Sequence, residues 1–312
     1  MKIYAPIILF VYNRPKHTFK TIEVLKKNIL ACDSDLIIFS DYAKKDSDLI
    51  NVNKVRDIIN NIDGFKSITI IEQKENQGLA KSIINGVTEV IDKYNKVIVL
   101  EDDLITSKYF LSYMNEALDL YERESRIWSI SGYGPKIKIP SGYSDDIYLS
   151  PRGCSWGWAT WKDRWKTINW EINDFDELKN NIQKKKAFNN GGNDMFFMLE
   201  DQINGWIDSW AIRWGYNQFK QSKYTVYPIT GKSLVSNIGL DFSGTHSSSS
   251  DKYNVEINRG NIQLKKDIEV NHETLNEFKK FYDLSLKGYI GVLSRRLGLY
   301  KFLKKIRKLF YK

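Results

Sequence analysis

Three consecutive carboxylates, Glu101-Asp102-Asp103, follow directly on the apolar run KVIVL at 96–100. Side by side at the end of a strand, with no basic residue beside them, they repel one another, and a divalent cation relieves that repulsion. Hard cations such as Mg²⁺ and Mn²⁺ take carboxylate and phosphate oxygens together. Such a cluster therefore suits an ion that neutralises a departing diphosphate. The bland reading is an exposed turn, or a helix cap made by Asp103 and Thr106; the position at a strand end favours the metal. A second source of chemistry is aromatic. All nine tryptophans lie between Trp128 and Trp214, five of them in 153–170, GCSWGWATWKDRWKTINW. Trp206, Trp210 and Trp214 are four apart and share one face of a helix. Flat indoles suit the apolar face of a sugar ring; the alternative, an aromatic core face, accounts for part of them. Cys32 and Cys154 are too few for a disulfide framework or a zinc cluster, and Cys154 reads as a packed thiol. His17 and His272 read as structural or exposed, and His246 lies in the Gly- and Ser-rich 239–250.

The elements that must position these residues alternate. Strands are expected over 5–12, 36–40, 67–72, 96–100 and 127–131, with helices over 15–30, 46–61, 78–94 and 107–123 between them. Strands alternating with helices imply βαβ units and a mostly parallel sheet flanked by helices. Unbroken apolar runs such as IILFV and VIVL suit strands covered on both faces. Ligands of such sheets bind beyond the carboxyl ends of the strands. Asn13-Arg14, Asp41 and Glu101-Asp102-Asp103 all fall at such ends, so three separate segments converge on one edge.

The chain has 312 residues, 27% charged and 42% hydrophobic, the profile of a globular protein with a sizeable core. No window approaches the roughly 20 apolar residues of a membrane helix. The apolar N-terminus reads as a strand rather than a signal peptide, which suggests a cytoplasmic protein. The net charge of +9 first suggests a polyanion partner. Eight basic residues and no acid lie in 295–312, however, and subtracting them leaves +1 for the other 294 residues. A nearly neutral body argues against nucleic-acid binding, which needs basic surface spread along a groove. In the tail, Leu299, Phe302, Leu303, Ile306, Leu309 and Phe310 share a helical face opposite the lysines. That is the pattern of a helix lying in an anionic bilayer interface; the alternative is a terminal helix docked on the protein's own core.

Taken together, these residues resemble the nucleotide-sugar glycosyltransferases of the GT-A fold, more narrowly the bacterial family 2-like and N-acetylglucosaminyltransferase I-like enzymes. The likeness covers roughly 5–250. It rests on Asn13-Arg14-Pro15, Asp41, Asn76-Gln77-Gly78-Leu79-Ala80, VIVLEDDL at 97–104, the Gly-Trp segment 153–161, Asp208-Ser209-Trp210 and Gly244-Thr245-His246. The resemblance implies a GT-A (Rossmann-like) mostly parallel sheet, with 1–132 as the nucleotide-sugar half and 133–260 as the acceptor and catalytic half of the same domain. A C-terminal helical region, 261–312, ends in the membrane-associating tail. It implies a Mn²⁺ or Mg²⁺ ion held by Asp103 and His246. The donor, a UDP-sugar with UDP-GlcNAc as first choice, would lie among Asn13, Arg14, Asp41, Gln77, Gly78, Lys81, Glu101 and Asp102. Asp41 would read the uracil or ribose, and Lys81 would reach a phosphate. Trp156, Trp158 and Trp210 would face a glycan or lipid-linked acceptor. Asp208 would be the base of an inverting transfer, its pKa raised by desolvation among Trp206, Trp210 and Trp214; Glu200 and Asp201 compete for that role, Asp163 and Glu171 more weakly. The enzyme would work at the inner face of the cell membrane in surface-polysaccharide synthesis. The alternatives are a nucleotidyltransferase, which would need a glycine-rich basic triphosphate loop that 5–20 lacks, and a non-enzymatic nucleic-acid-binding or carbohydrate-binding protein.

Overall fold

A computed structural model describes residues 3–239 and 251–296. The first half runs β1 (Ile7–Val11), α1 (Pro15–Leu25), β2 (Asp35–Ser40), α2 (Leu49–Ile59), β3 (Ser67–Glu72), α3 (Leu79–Tyr94), β4 (Lys96–Glu101), β5 (Leu104–Thr106), α4 (Phe110–Leu120) and β6 (Ile127–Ser131). The second half adds β7 (Ile147–Ser150), β8 (Trp158–Trp161), α5 (Lys162–Trp165), α6 (Phe175–Asn180), α7 (Ile182–Phe188), α8 (Asp194–Ile203) and α9 (Trp210–Lys220). It ends with β9 (Tyr224–Pro228), β10 (Val235–Asn237), α10 (His272–Tyr282) and α11 (Leu286–Arg296).

One eight-stranded sheet carries the molecule, in the order β3-β2-β1-β4-β8-β6-β9-β7. β3, β2, β1 and β4 are parallel neighbours, β8 is antiparallel to both β4 and β6, and β9 runs parallel to β6. The expected mostly parallel α/β sheet flanked by helices is what forms. Alternate residues of the fully buried β1 feed opposite cores: Ile7, Leu9 and Val11 face α1, α2 and α4, while Ile8 and Phe10 face α3 and α9. Helix α3 lies close to the sheet because Gly86 carries no side chain; a Cβ there would stand 2.9 Å from the Phe10 ring.

Two details depart from the sequence reading. A short strand, β5, intervenes between the acid triplet and α4 and pairs antiparallel with the distant β10. Neither Asp103 nor Thr106 caps α4, whose N-cap is Tyr109. The tryptophan-rich segments are also mostly core. Trp158 is 1% exposed, with its ring centroid 4.5 Å from Trp214, 5.3 Å from Trp210 and 5.8 Å from Trp165. Trp206 precedes α9 rather than sharing its face and is exposed.

Candidate active site

The turn after β1 and the end of β4 meet across the parallel pair in which Phe10 faces Glu101. Arg14, the residue before α1, donates from Nη1 to Asp103 Oδ2 at 2.8 Å and places Nε 3.5 Å from Asp102 Oδ1. One guanidinium thus faces three carboxylates. Asp102 and Asp103 are buried, and Thr21 Oγ1 donates to the Asp102 carbonyl at 2.8 Å, fixing the turn. Desolvation first, then the charges of Asp103 and Asp102, push the Glu101 carboxyl up to about 8. Desolvation also raises Asp102, to about 6, with Arg14 pulling against it. Burial by itself would lower the Arg14 pKa, but the facing acids outweigh it and raise it.

The β10 strand closes this site from the other side. Ile238 N–H donates to the Asp103 carbonyl at 2.8 Å, and Gly239 N–H to Asn237 Oδ1 at 2.6 Å. A Cβ on Gly239 would stand 2.8 Å from Asp103 Oδ2 and 3.1 Å from Asn237 Oδ1, so a larger residue here would push the Asp103 carboxylate from its place. Asn237 and Gly239 escaped the sequence reading because their contact with Asp103 depends on a long-range strand pair. His246 lies outside the described residues.

Asp41 does something other than expected. Its Oδ1 accepts the backbone N–H groups of Tyr42 and Gln77, both at 2.9 Å. Its Oδ2 accepts from Gly78 N–H and Asn76 Nδ2, both at 3.0 Å. With four donors in place the carboxylate has no capacity left for a uracil or ribose. It builds instead the turn that enters α3 through Gly78, at φ +74°. Asn13 Nδ2 and the Tyr12 hydroxyl are likewise engaged, both with Asp48, at 3.3 and 2.8 Å. Gln77 extends its amide to Glu75, and Lys81 stands exposed on the first turn of α3.

Beyond β8 a cleft of about 500 Å³ opens. Trp156, on its wall, precedes Trp158 by two residues, and the pairing partner of Trp158, Val99, precedes Glu101 by two, so cleft and acids share one sheet edge. Its polar centre is the bidentate pair of Arg152 with Asp194, at 2.7 and 2.9 Å, stacked 4.1 Å from the Tyr282 ring. Tyr133, Trp156 and Tyr253 add aromatic wall, and the Cys154 thiol is buried beside them. Of the three tryptophans expected at an acceptor, only Trp156 is reachable; Trp158 and Trp210 are closed into the core, because stacked indoles gain more from mutual burial than from exposure. Arg152 and Asp194 are 42 residues apart and gave no signal in the sequence.

Asp208 precedes Ser209, the N-cap of α9, whose side chain accepts from Ile212 N–H. The expected desolvation among tryptophans does not occur: the side chain is 73% exposed, with Arg213 Nη2 3.2 Å away. Of its competitors, Glu200 pairs with Arg296, Asp163 with Arg164, Asp201 is buried, and Glu171 is exposed.

A divalent ion fits this donor set. Among the described residues no three acidic, histidine or cysteine side chains form a ready cage. Mg²⁺ and Mn²⁺ commonly rest on one or two carboxylates and complete their shell with water and substrate phosphates. Buried Asp102 and Asp103 offer that pair, and with Glu101 still protonated near neutral pH, two carboxylates against one guanidinium leave negative charge for the ion to balance.

Fold and site together define an α/β protein with an acidic centre and an aromatic cleft at the carboxyl edge of its sheet. No family model and no curated protein matches the chain. Among solved structures, it is similar to a mannosyltransferase from Pyrobaculum calidifontis in complex with GDP-Man and Mn²⁺, at 11% identity, with 51% of this chain and 46% of that one covered and a TM-score of 0.36. It is also similar to S. aureus TarS, at 14% identity over 47% of this chain and 25% of that one (TM-score 0.30), and to TarS 1-349, at 12% over 72% and 57% (TM-score 0.35). The match spans about half the length of the mannosyltransferase. Overlaps this loose transfer no residue role.

Proposed function

We propose that this chain is a divalent-metal-dependent, inverting glycosyltransferase that moves a sugar from a UDP-sugar to a hydroxyl of a glycan or lipid-linked acceptor. The observation that carries the reading is the convergence of Asp102, Asp103 and Arg14 at the carboxyl ends of β1 and β4, beside an aromatic cleft with a polar centre. Asp103 and Asp102 would hold Mn²⁺ or Mg²⁺, with His246 as a further ligand; the ion would supply charge neutralisation for the departing diphosphate. Arg14, which now faces these acids, would turn to the same diphosphate once the ion neutralises them. Glu101 supports the acids from behind, and Asp41 keeps the Gln77-Gly78 turn and Lys81 in place around the donor. The cleft receives the acceptor, with Trp156 against a sugar face and Arg152 and Asp194 toward its hydroxyls. Asp208 takes the proton of the attacking hydroxyl as the new glycosidic bond forms and the sugar–phosphate bond breaks. UDP-GlcNAc is the first donor to test, on the N-acetylglucosaminyltransferase I-like resemblance.

No helix among the described residues is long and apolar enough to cross a membrane. A peripheral position at the inner face of the cell membrane, held by 295–312, completes the proposal. Most of that tail lies outside the described residues. The test is a panel of UDP-sugars with and without Mn²⁺. Metal-stimulated hydrolysis that Asp103→Ala abolishes would support the reading. No turnover of any UDP-sugar, together with indifference to Asp103→Ala, would sink it.

A further inference from the structure

Basic character begins before the tail. Asp283 is the last acid of the chain; the 29 residues after it hold nine Lys and Arg and no Asp or Glu. Asp283 is also where α11 is pinned. Its Oδ1 accepts the Asn193 N–H at 2.8 Å, and the Leu284 N–H donates back to Asn193 Oδ1 at 2.7 Å. Further along, Tyr289 packs edge-on to Phe197 at 5.7 Å, and Arg296 lies over Phe197 and pairs with Glu200. Helix α11 therefore runs beside α8 in the same direction, from Asn193 toward Glu200.

One face of α11 is apolar and uncovered. Leu286 is 77% exposed, Ile290 53% and Leu293 58%, with Tyr289 beside them, at the i, i+3, i+4, i+7 spacing of a single stripe. Val292 and Ser294 face inward and are buried. Past the end of α8, Ile203 and Trp206 are exposed as well. Globular surfaces seldom leave such a stripe open without a partner. We infer that the α11 stripe is a membrane-docking face that seats on an anionic bilayer. Charge selects this occupant. A second copy would bring nine cations against nine, whereas anionic headgroups neutralise them while leucine and isoleucine side chains enter the acyl boundary. Helix α8 then lies between bilayer and cleft, since its Asp194, Met195 and Met198 line the cleft while Phe197 and Glu200 meet α11. The docking stands independently; its corollary, that the cleft receives an acceptor borne by the membrane, rests on the glycosyl-transfer reading.

The test uses the full chain and phosphatidylcholine vesicles with and without phosphatidylglycerol. The double variant Ile290→Ser/Leu293→Ser keeps the net charge and every tail cation, yet should bind anionic vesicles roughly tenfold more weakly. Should that variant unfold, Leu293→Trp replaces it: brominated lipid should quench the added indole on anionic vesicles alone. Equal binding of wild type and double variant would overturn the inference, as would absence of quenching. So would a wild-type dimer that the double variant dissociates, or an increase in stripe accessibility on deleting 297–312, which would make the tail the occupant. UDP-sugar hydrolysis in solution separates the two readings: docking by the wild type without hydrolysis leaves the face and removes the enzyme, and hydrolysis by wild type and double variant without docking leaves the enzyme.

Discussion

Arg14 is the residue on which the acidic site turns. It occupies the position of a counter-ion between Asp102 and Asp103, and a divalent ion held as proposed would have to compete with it. Arg14→Gln should therefore bind Mn²⁺ several-fold more tightly than wild type in the absence of nucleotide, read by calorimetry or by the free-ion resonance signal. With UDP present the advantage should vanish, because the wild-type guanidinium then has a diphosphate to meet. Weaker Mn²⁺ binding by the variant without nucleotide would contradict this. Glu101 gives a second expectation, with a definite sign. Its folded pKa, about 8, lies above the ordinary carboxyl value, so the folded state holds more protons than the unfolded one between those limits. Stability conferred by that proton is complete below the unfolded pKa and is lost as pH rises toward about 8. Glu101→Gln, which cannot ionise, should flatten the fall of the melting temperature over that window. An unchanged slope would mean that Glu101 is already ionised at neutral pH.

At the scale of elements, Asp41 shows what a turn can require. Asp41→Ala strips acceptors from three backbone N–H groups and the Asn76 amide, and should lower stability by about 2–3 kcal/mol in urea unfolding. A loss under about 0.5 kcal/mol would show that water replaces the carboxylate freely. The tryptophans divide in the same way. Trp158→Ala opens the stacked core and should cost about 3–5 kcal/mol, whereas Trp156→Ala, which gives up only its partly buried ring contacts with Tyr133 and Tyr253, should cost less, about 1–2 kcal/mol, while raising KM for the proposed acceptor. The strands and helices of the first half were legible because β1, β2 and β4 are buried on both faces and so appear as unbroken apolar runs. The meeting of Arg14 with the acids was legible for the same reason, since both sit at strand ends. The β5–β10 pair was not, because two three-residue strands carry no period. Nor was the fate of the tryptophans: indole serves a core and a sugar equally well, and only packing decides between them. Asp41 was rightly seen as a strand-end acid, but four local donors claim it before any ligand can.

The whole molecule does not divide where its composition changes. The composition shifts near 132, where the tryptophans begin. The sheet runs across that boundary, because β8 from the second half lies between β4 and β6 of the first. Without β8, β4 is left with a bare edge and β6 loses every pairing partner, since its other neighbour, β9, also belongs to the second half. The core is shared in the same manner: Ile98 and Leu100 belong to one apolar cluster with Trp161, Val226 and Val235. A hydrophobic cluster that spans the whole sheet favours a single cooperative transition. A fragment ending at 132 should consequently lack fixed tertiary structure, seen as collapsed amide dispersion in NMR and aggregation on gel filtration through its open strand edges. Coexpression with 133–312 should restore a soluble complex, because the missing β8 then supplies both pairings. A fragment 1–132 that stayed monomeric and unfolded cooperatively would show that β1–β4 and their helices form a unit of their own, with β8 merely added to its edge.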